Sequence, residues 1–456
     1  MDNQDAKIVA IVGGGFSGTG LAIHLLRMSR DPIQVHLFDR SGVFGAGLAY
    51  STNAEEHVLN VPASKMSALP DVPTHFSDWL QAAGLVVGEA VGKSYVPRRY
   101  YRWYLQELLQ QTSLHPGNPK SRLCLEPDEV VSIEGKYAVR TSTGTPLNVD
   151  AVVLATGYLP ESNLDCERKG FSGFHRAYEP EKWPTESIKQ VVIVGSRLTA
   201  LDAVLSVLIR YPQARITVVS RYGYLPGLHN AEAPVFAISP LDGITGVRQT
   251  VKWARSEVVR AQAQGLPWQS VSDAMRSHWE SIWQNLTVKD KQRFQDHVAR
   301  HFDRFRHRVS AEVGEIVLDN LRSGTLRILA GSVQLLSKCG PGIRVVKADR
   351  TTEVVIADLV LDCSGTSMSW ALSEETLFRQ LFADGQLVEG PNGIGVVANA
   401  HGRIVDSNHQ TGNLFAIGPL LKGVRWETTA VHEIRHQIEQ VADEILGGAG
   451  WIRTTE

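Results

Sequence analysis

The sequence is poor in several features, and each absence removes a class of function. Cysteine is scarce: Cys124, Cys166, Cys339 and Cys363 lie far apart and no C-x-x-C occurs, which excludes a zinc knuckle or a locally spaced redox disulfide. A reduced, cytoplasmic protein is the expectation. Net charge is small, with 46 basic against 48 acidic residues, so there is no general electrostatic case for nucleic acid or an anionic membrane. No apolar run approaches the roughly 18 residues that a membrane span requires. The N-terminal MDNQDAK lacks the apolar segment of a secretory leader. No Ser-His-Asp arrangement, metal-ligand cluster or carboxylate pair stands out.

What is present begins at residues 7–22, KIVAIVGGGFSGTGLA. The apolar run from Ile8 to Val12 reads as a buried parallel strand. It ends in Gly13, Gly15 and Gly18 and leads into a helix-compatible segment, so G-x-G-x-x-G stands between strand and helix. Gly13 permits the tight turn, Gly15 lets backbone approach a pyrophosphate, and Gly18 lets the helix pack on the strand. The helix N-terminus faces the phosphate charge. A second strand, Gln34 to Phe38, ends in Asp39, placed to take a ribose hydroxyl.

The chain then runs through SGVFGAGLAY, whose glycines, Gly45 among them, suit either a nucleotide-hugging loop or an ordinary connection. Residues 57–80 are a proline-punctuated loop, with a helix expected from Thr74 as N-cap. Residues 95–110 read as a helix with Pro97 near its start. Arg98 and Arg99 there suit a phosphate, or more simply ion pairing. AVVLATGYLP is a returning strand that stops in Ala155-Thr156-Gly157.

A second strand–turn–helix occupies 190–210. Its turn is Gly195-Ser196-Arg197-Leu198-Thr199-Ala200, with Arg197 where the middle glycine belongs. An arginine there must swing aside or bind phosphate with its side chain. The next strand ends in Ser220-Arg221, and an arginine in that place suits a 2′-phosphate, favouring NADPH over NADH. A vestigial unit kept for packing is the plainer reading. Residues 245–322 read as a helical insertion, rich in tryptophan. Arg300, Arg304, His307 and Arg308 there are spaced to share one helix face, which suits a substrate carboxylate or simple solvation. LVLDCSGTS runs into Gly365 as AVVLATG runs into Gly157, GNLFAIG ends in Gly418, and an amphipathic helix follows Trp426.

Two such starts and two such returns predict an α/β fold with two nested Rossmann-like dinucleotide-binding domains, one inside the other. The expected boundaries are 1–165 with 350–456 for the first, and 166–349 for the second with its insertion.

This layout resembles the glutathione-reductase-like flavoproteins. More narrowly, it resembles the FAD/NAD(P)-binding oxidoreductases related to class B flavin monooxygenases, including ornithine and lysine N-hydroxylases. The segments that carry the resemblance are GGGFSGTGLA, FGAGLAYS, HVLNVPASKMSALPD, YVPRR, VLATGYLP, VVIVGSRLTALD, VSRYGYLP, RFRHR and IGPLLKGVRWETTAVHEIR, which together span the chain. F-S-G-F-H with Trp183-Pro184 loosely matches a monooxygenase signature, one residue short.

The resemblance implies FAD and NADPH as cofactors. Gly13, Gly15, Phe16, Ser17, Gly18, Asp39 and Arg40 would hold the FAD adenosine and pyrophosphate, with Gly45, Val130, Thr156, Gly157 and Gly365 close by. Asn60, Met66, Gly418 and Trp426 would approach the isoalloxazine, with Asn60 and Lys65 as catalytic residues. Gly195, Ser196, Arg197, Thr199, Ser220 and Arg221 would take NADPH, and Arg304, His307 and Arg308 the substrate. The implied activity is NADPH-driven oxygenation, N-hydroxylation first, of a small amine or amino-acid-like substrate by O2 through a C4a-hydroperoxyflavin. A flavin oxidoreductase or oxidase without oxygen transfer, and a flavin-binding protein with an impaired NADPH site, are the alternatives. Association into homo-oligomers is left open.

Overall fold

The computed structural model describes residues 6–88, 90–159, 173–230, 233–241, 243–335, 342–366 and 368–447. Phe171, Cys166 and Cys339 lie outside them. The first unit contributes β1 (Lys7–Val12), β2 (Ile33–Phe38), β3 (Arg122–Glu126), a meander of β4 (Val130–Glu134), β5 (Ala138–Thr141) and β6 (Leu147–Asn148), and β7 (Ala151–Leu154). The second contributes β8 (Phe174–Arg176), β9 (Gln190–Val194), β10 (Arg215–Ser220), β11 (Leu326–Ala330), the meander β12 (Ser332–Leu335), β13 (Gly342–Val346) and β14 (Thr352–Ile356), and β15 (Leu359–Asp362). The chain then returns to the first unit for β16 (Arg403–Val405) and β17 (Thr411–Ala416).

The sheets repeat one plan. The first has the order β16-β17-β7-β1-β2-β3 and the second β11-β10-β9-β15-β8. The glycine turn leaves β1 in one and β9 in the other, each strand sitting centrally between parallel neighbours. Each antiparallel meander falls between the third strand and the returning fourth. The nested architecture is as expected, with one shift. β14 and β15, placed in the first domain by the boundary at 350, belong to the second. Leu359 to Asp362 of β15 pair in parallel with Val191 to Val194 of β9. The crossing back comes after Asp362.

The strands are apolar on both faces because both are covered. On one face of the first sheet, Val9, Ile11, Val35 and Leu37 pack under the helices Phe16–Met28, Arg98–Leu114 and Val431–Leu446. On the other, Ala10, Val12 and Phe38 pack under the meander and the helix Thr376–Ala383. Pro97 caps the helix Arg98–Leu114 as expected. Thr74 precedes the helix His75–Ala82 but its side chain bonds Asp78 rather than the backbone. The insertion is a series of helices between Val247 and Ser323, and its last helix, Ala311–Ser323, packs back on β11. Trp253 and Trp283 are core residues. Trp283 also reaches the first unit, donating to the Gly423 carbonyl at 3.1 Å. Among the described residues no helix is long and apolar enough to cross a membrane.

Candidate functional site: a dinucleotide groove and a second glycine turn

The glycines of the first turn are dictated by contact. Gly13 has φ +111°, and a Cβ there would meet the Ala155 carbonyl oxygen at 2.4 Å. At Gly18 a Cβ would lie 1.9 Å from the Gly13 oxygen. Gly15 is the N-cap of the helix Phe16–Met28 and faces Gly47. Gly45 supports the turn from behind, its N–H donating to the Gly14 carbonyl at 2.7 Å, and is not on the groove wall. Asp39 accepts the Gly14 N–H at 2.8 Å on one oxygen and Ser41 on the other. A carboxylate offers about four acceptor positions, so capacity for ribose hydroxyls remains.

The groove these residues open has a volume of about 1030 Å³, at the upper end for small-molecule sites, as a dinucleotide requires. Its walls carry Gly13, Gly15, Phe16, Ser17, Asp39, Arg40, Val130, Thr156, Gly157 and Gly365 of the expected set. Arg40 is held at its mouth by Glu375 at 2.9 Å. The Thr156 hydroxyl is buried in the wall with no hydrogen-bond partner among the described residues, the mark of a site shaped for a polar ligand. These residues fit FAD. The same wall also carries Thr52, Asn53, Tyr158, Tyr178, Cys363, Pro419 and Thr429. Burial raises the Cys363 thiol well above its usual range. Gly418 sits just beneath, its N–H bonded to Gln437.

Other expected residues stand elsewhere. Met66 is buried in the first unit's core, Lys65 is exposed and Asn60 half-buried, and none of the three lines the groove. Trp426, with φ +61°, is packed 4.9 Å from both Trp283 and Phe294 and is core. Loop residues Thr52 and Asn53 occupy the wall instead. Tyr158, directly after the Ala155-Thr156-Gly157 stop, lines the wall as well.

At the second turn Gly195 repeats the device of Gly13: φ is +117° and a Cβ would strike the Cys363 carbonyl oxygen at 2.0 Å. Ser196 bonds the Ser220 hydroxyl at 2.9 Å and the Tyr224 carbonyl at 2.6 Å. The Arg197 side chain swings aside to Asp303 at 2.7 Å. Thr199 meets the Tyr178 hydroxyl at 3.2 Å. Arg221 is exposed at the end of β10. Beside it, the Arg300 and Arg304 guanidinium groups lie 4.6 and 5.4 Å over the rings of Tyr222 and Tyr224.

The basic residues of 300–308 do not share a face. The helix Ala299–Arg306 stops before His307. Arg308 turns to Asp273 and Trp268, and His307 is half-buried, its pKa pushed well below normal by desolvation and by Arg306. Arg306 instead enters a buried ion cluster, 2.9 Å from Glu427 and 2.6 Å from Glu433, which also pairs with Arg276. Burial raises Glu427. Arg98 and Arg99 are ion-paired, with Asp202 and Glu55.

Residues 10–159 match the family model described as FAD-NAD(P)-binding. They are an FAD/NAD(P)-binding domain. No protein of curated function matches the sequence. The whole chain is similar in fold to solved flavoproteins. An ornithine N-hydroxylase of Kutzneria sp. 744, solved with reduced FAD, NADP+ and L-ornithine, is 14% identical, with 96% of this chain and 99% of that one covered and a TM-score of 0.62. The FAD-bound cadaverine monooxygenase DfoA of Erwinia amylovora is 12% identical over 98% and 97%, TM-score 0.66. The bacillithiol disulfide reductase of Staphylococcus aureus is 14% identical over 98% and 99%, TM-score 0.57.

Proposed function

We propose that this chain is an FAD-dependent, NADPH-consuming monooxygenase that oxygenates the nitrogen of a small amine or amino-acid-like substrate. The observation that carries the reading is the shared wall between the two turns. Cys363 closes the Gly195 turn with its carbonyl and is also a residue of the dinucleotide groove wall. A nucleotide on each turn would therefore meet across one residue. Bound FAD would supply hydride acceptance and oxygen activation.

The chain's own residues would do the rest. The helix N-terminus after Gly15 holds the pyrophosphate, and Asp39 orients the ribose. Arg221 takes the 2′-phosphate. Tyr158 and Tyr178, both mostly buried in the wall, help shield the groove from water. A thiol-disulfide route is disfavoured by Cys363, which is buried, raised in pKa and without a second cysteine beside it among the described residues.

The test is anaerobic reduction of the purified yellow protein by NADPH, followed by air and a panel of diamines and basic amino acids. Hydroxylamine product with little peroxide supports the reading. Peroxide released in proportion to NADPH with every amine would make the protein an oxidase, and no bleaching would remove NADPH as the reductant.

A further inference from the structure

The face of the first sheet at its β2–β3 edge carries a second cluster, unrelated to the groove chemistry. β3 is the edge strand, and its parallel register on β2 sets His36 against Cys124 and Phe38 against Glu126. With side chains alternating along a strand, Gln34 and His36 on β2 share a face with Cys124 and Glu126 on β3. One ligand atom from each of His36, Cys124 and Glu126 lies within 4.8 Å of the others. His36 Nδ1 is 2.9 Å from Glu126 Oε1. On the far side of the ring, Gln34 Nε2 lies 2.8 Å from His36 Nε2.

We propose that His36, Cys124 and Glu126 form a binding site for a borderline divalent cation, zinc foremost. The donor set is one thiolate, one imidazole and one carboxylate. That mixture selects zinc over magnesium or calcium, which take oxygen ligands. Zinc bond lengths put neighbouring ligand atoms about 3.5 Å apart in a tetrahedral shell. The observed spacing reaches that shell by small side-chain turns on two strands already held in register. Cys124 and Glu126 are only partly buried, so water can fill the fourth position, while buried His36 anchors the site.

On binding, the thiol proton leaves to solvent. Nδ1 becomes a ligand, Nε2 carries the ring proton, and the Gln34 amide turns to accept it, the outer-shell contact that metal-bound histidines use. The Glu126 carbonyl accepts the Asp39 N–H at 3.0 Å. A cation here would pin the edge strand to the strand that presents the ribose-binding acid.

The test uses the full-length flavin-loaded protein, freed of metal with a chelator and titrated with Zn2+ against a chromogenic competitor. The expected result is one tightly held zinc per chain, a higher melting temperature with zinc, and protection of Cys124 from alkylation. Cys124→Ser and Glu126→Gln, each checked for folding by its metal-free melting curve, should each weaken zinc at least about tenfold. Zinc affinity unchanged in Cys124→Ser, or no zinc retained by the wild type, overturns the proposal. Alkylation of Cys124 at the same rate with and without zinc does the same, and needs no variant.

Discussion

Arg197 and Asp303 are joined at 2.7 Å, the guanidinium largely in solvent and the carboxylate nearly buried. The residue that takes the place of the middle glycine is thus drawn off the turn and onto the insertion. The Gly195 N–H is taken by the Val219 carbonyl at 2.8 Å, so a phosphate would meet the N–H groups that follow it in the turn. Arg197→Gly should therefore change the NADPH KM by less than about threefold in steady-state reduction assays. A rise of about tenfold or more would mean that the guanidinium itself holds the pyrophosphate.

Arg221 is exposed at the end of β10 with no ion pair to restrain it among the described residues. Charge-assisted contacts to a 2′-phosphate contribute about 1.5–3 kcal/mol. Arg221→Ser should weaken NADPH by roughly 10- to 100-fold and leave NADH nearly unchanged. Equal losses for both nucleotides would place the arginine elsewhere in the site.

The glycines of the first turn differ in what they exclude. Gly18→Ala puts a Cβ 1.9 Å from backbone and should yield unstable, flavin-free protein. Gly15→Ala meets only Gly47 Cα at 3.3 Å, so the fold should persist while flavin affinity falls. Thermal melting together with flavin content separates the two.

The glycine turns, the expected acid and the nested pair of sheets were legible because each is a local pattern with a fixed spacing. The remaining wall of the groove was not. Loops carry no period, so Asn60 and Lys65 could not be distinguished from Thr52 and Asn53, which line the wall. β15 was misassigned because parallel pairing is set by register with distant β9, not by its own residues. His36 and Glu126 lie 90 residues apart, beyond any spacing rule.

Burial lowers His24 from its ordinary value to about 4, and does the same for His229. In the unfolded chain each binds a proton near pH 6.5, while the folded protein resists it until about pH 4. Stability present above pH 6.5 should therefore be lost as pH falls through this window. The loss is about 3 kcal/mol for His24 at the low end, its side chain being buried. Melting curves from pH 7.5 to 5 should fall less steeply for His24→Leu than for the wild type.

Arg98 and Asp202 tie the two units at 2.8 Å, with both side chains mostly buried. Burial raises Asp202, and Arg98 offsets that in part. Arg98→Met strands the acid and should cost about 3 kcal/mol in denaturant unfolding. Adding Asp202→Asn should recover much of it.

The first sheet holds β17 between β7 and β16, and β17 is Thr411–Ala416. During synthesis the ribosome must therefore deliver the entire second unit before this sheet can be filled. Until then β7 presents a bare, apolar edge, open to pairing with another nascent chain. Expression yield should depend on chaperone supply during the interval in which residues 155–410 emerge, and a chain truncated after the second unit should aggregate.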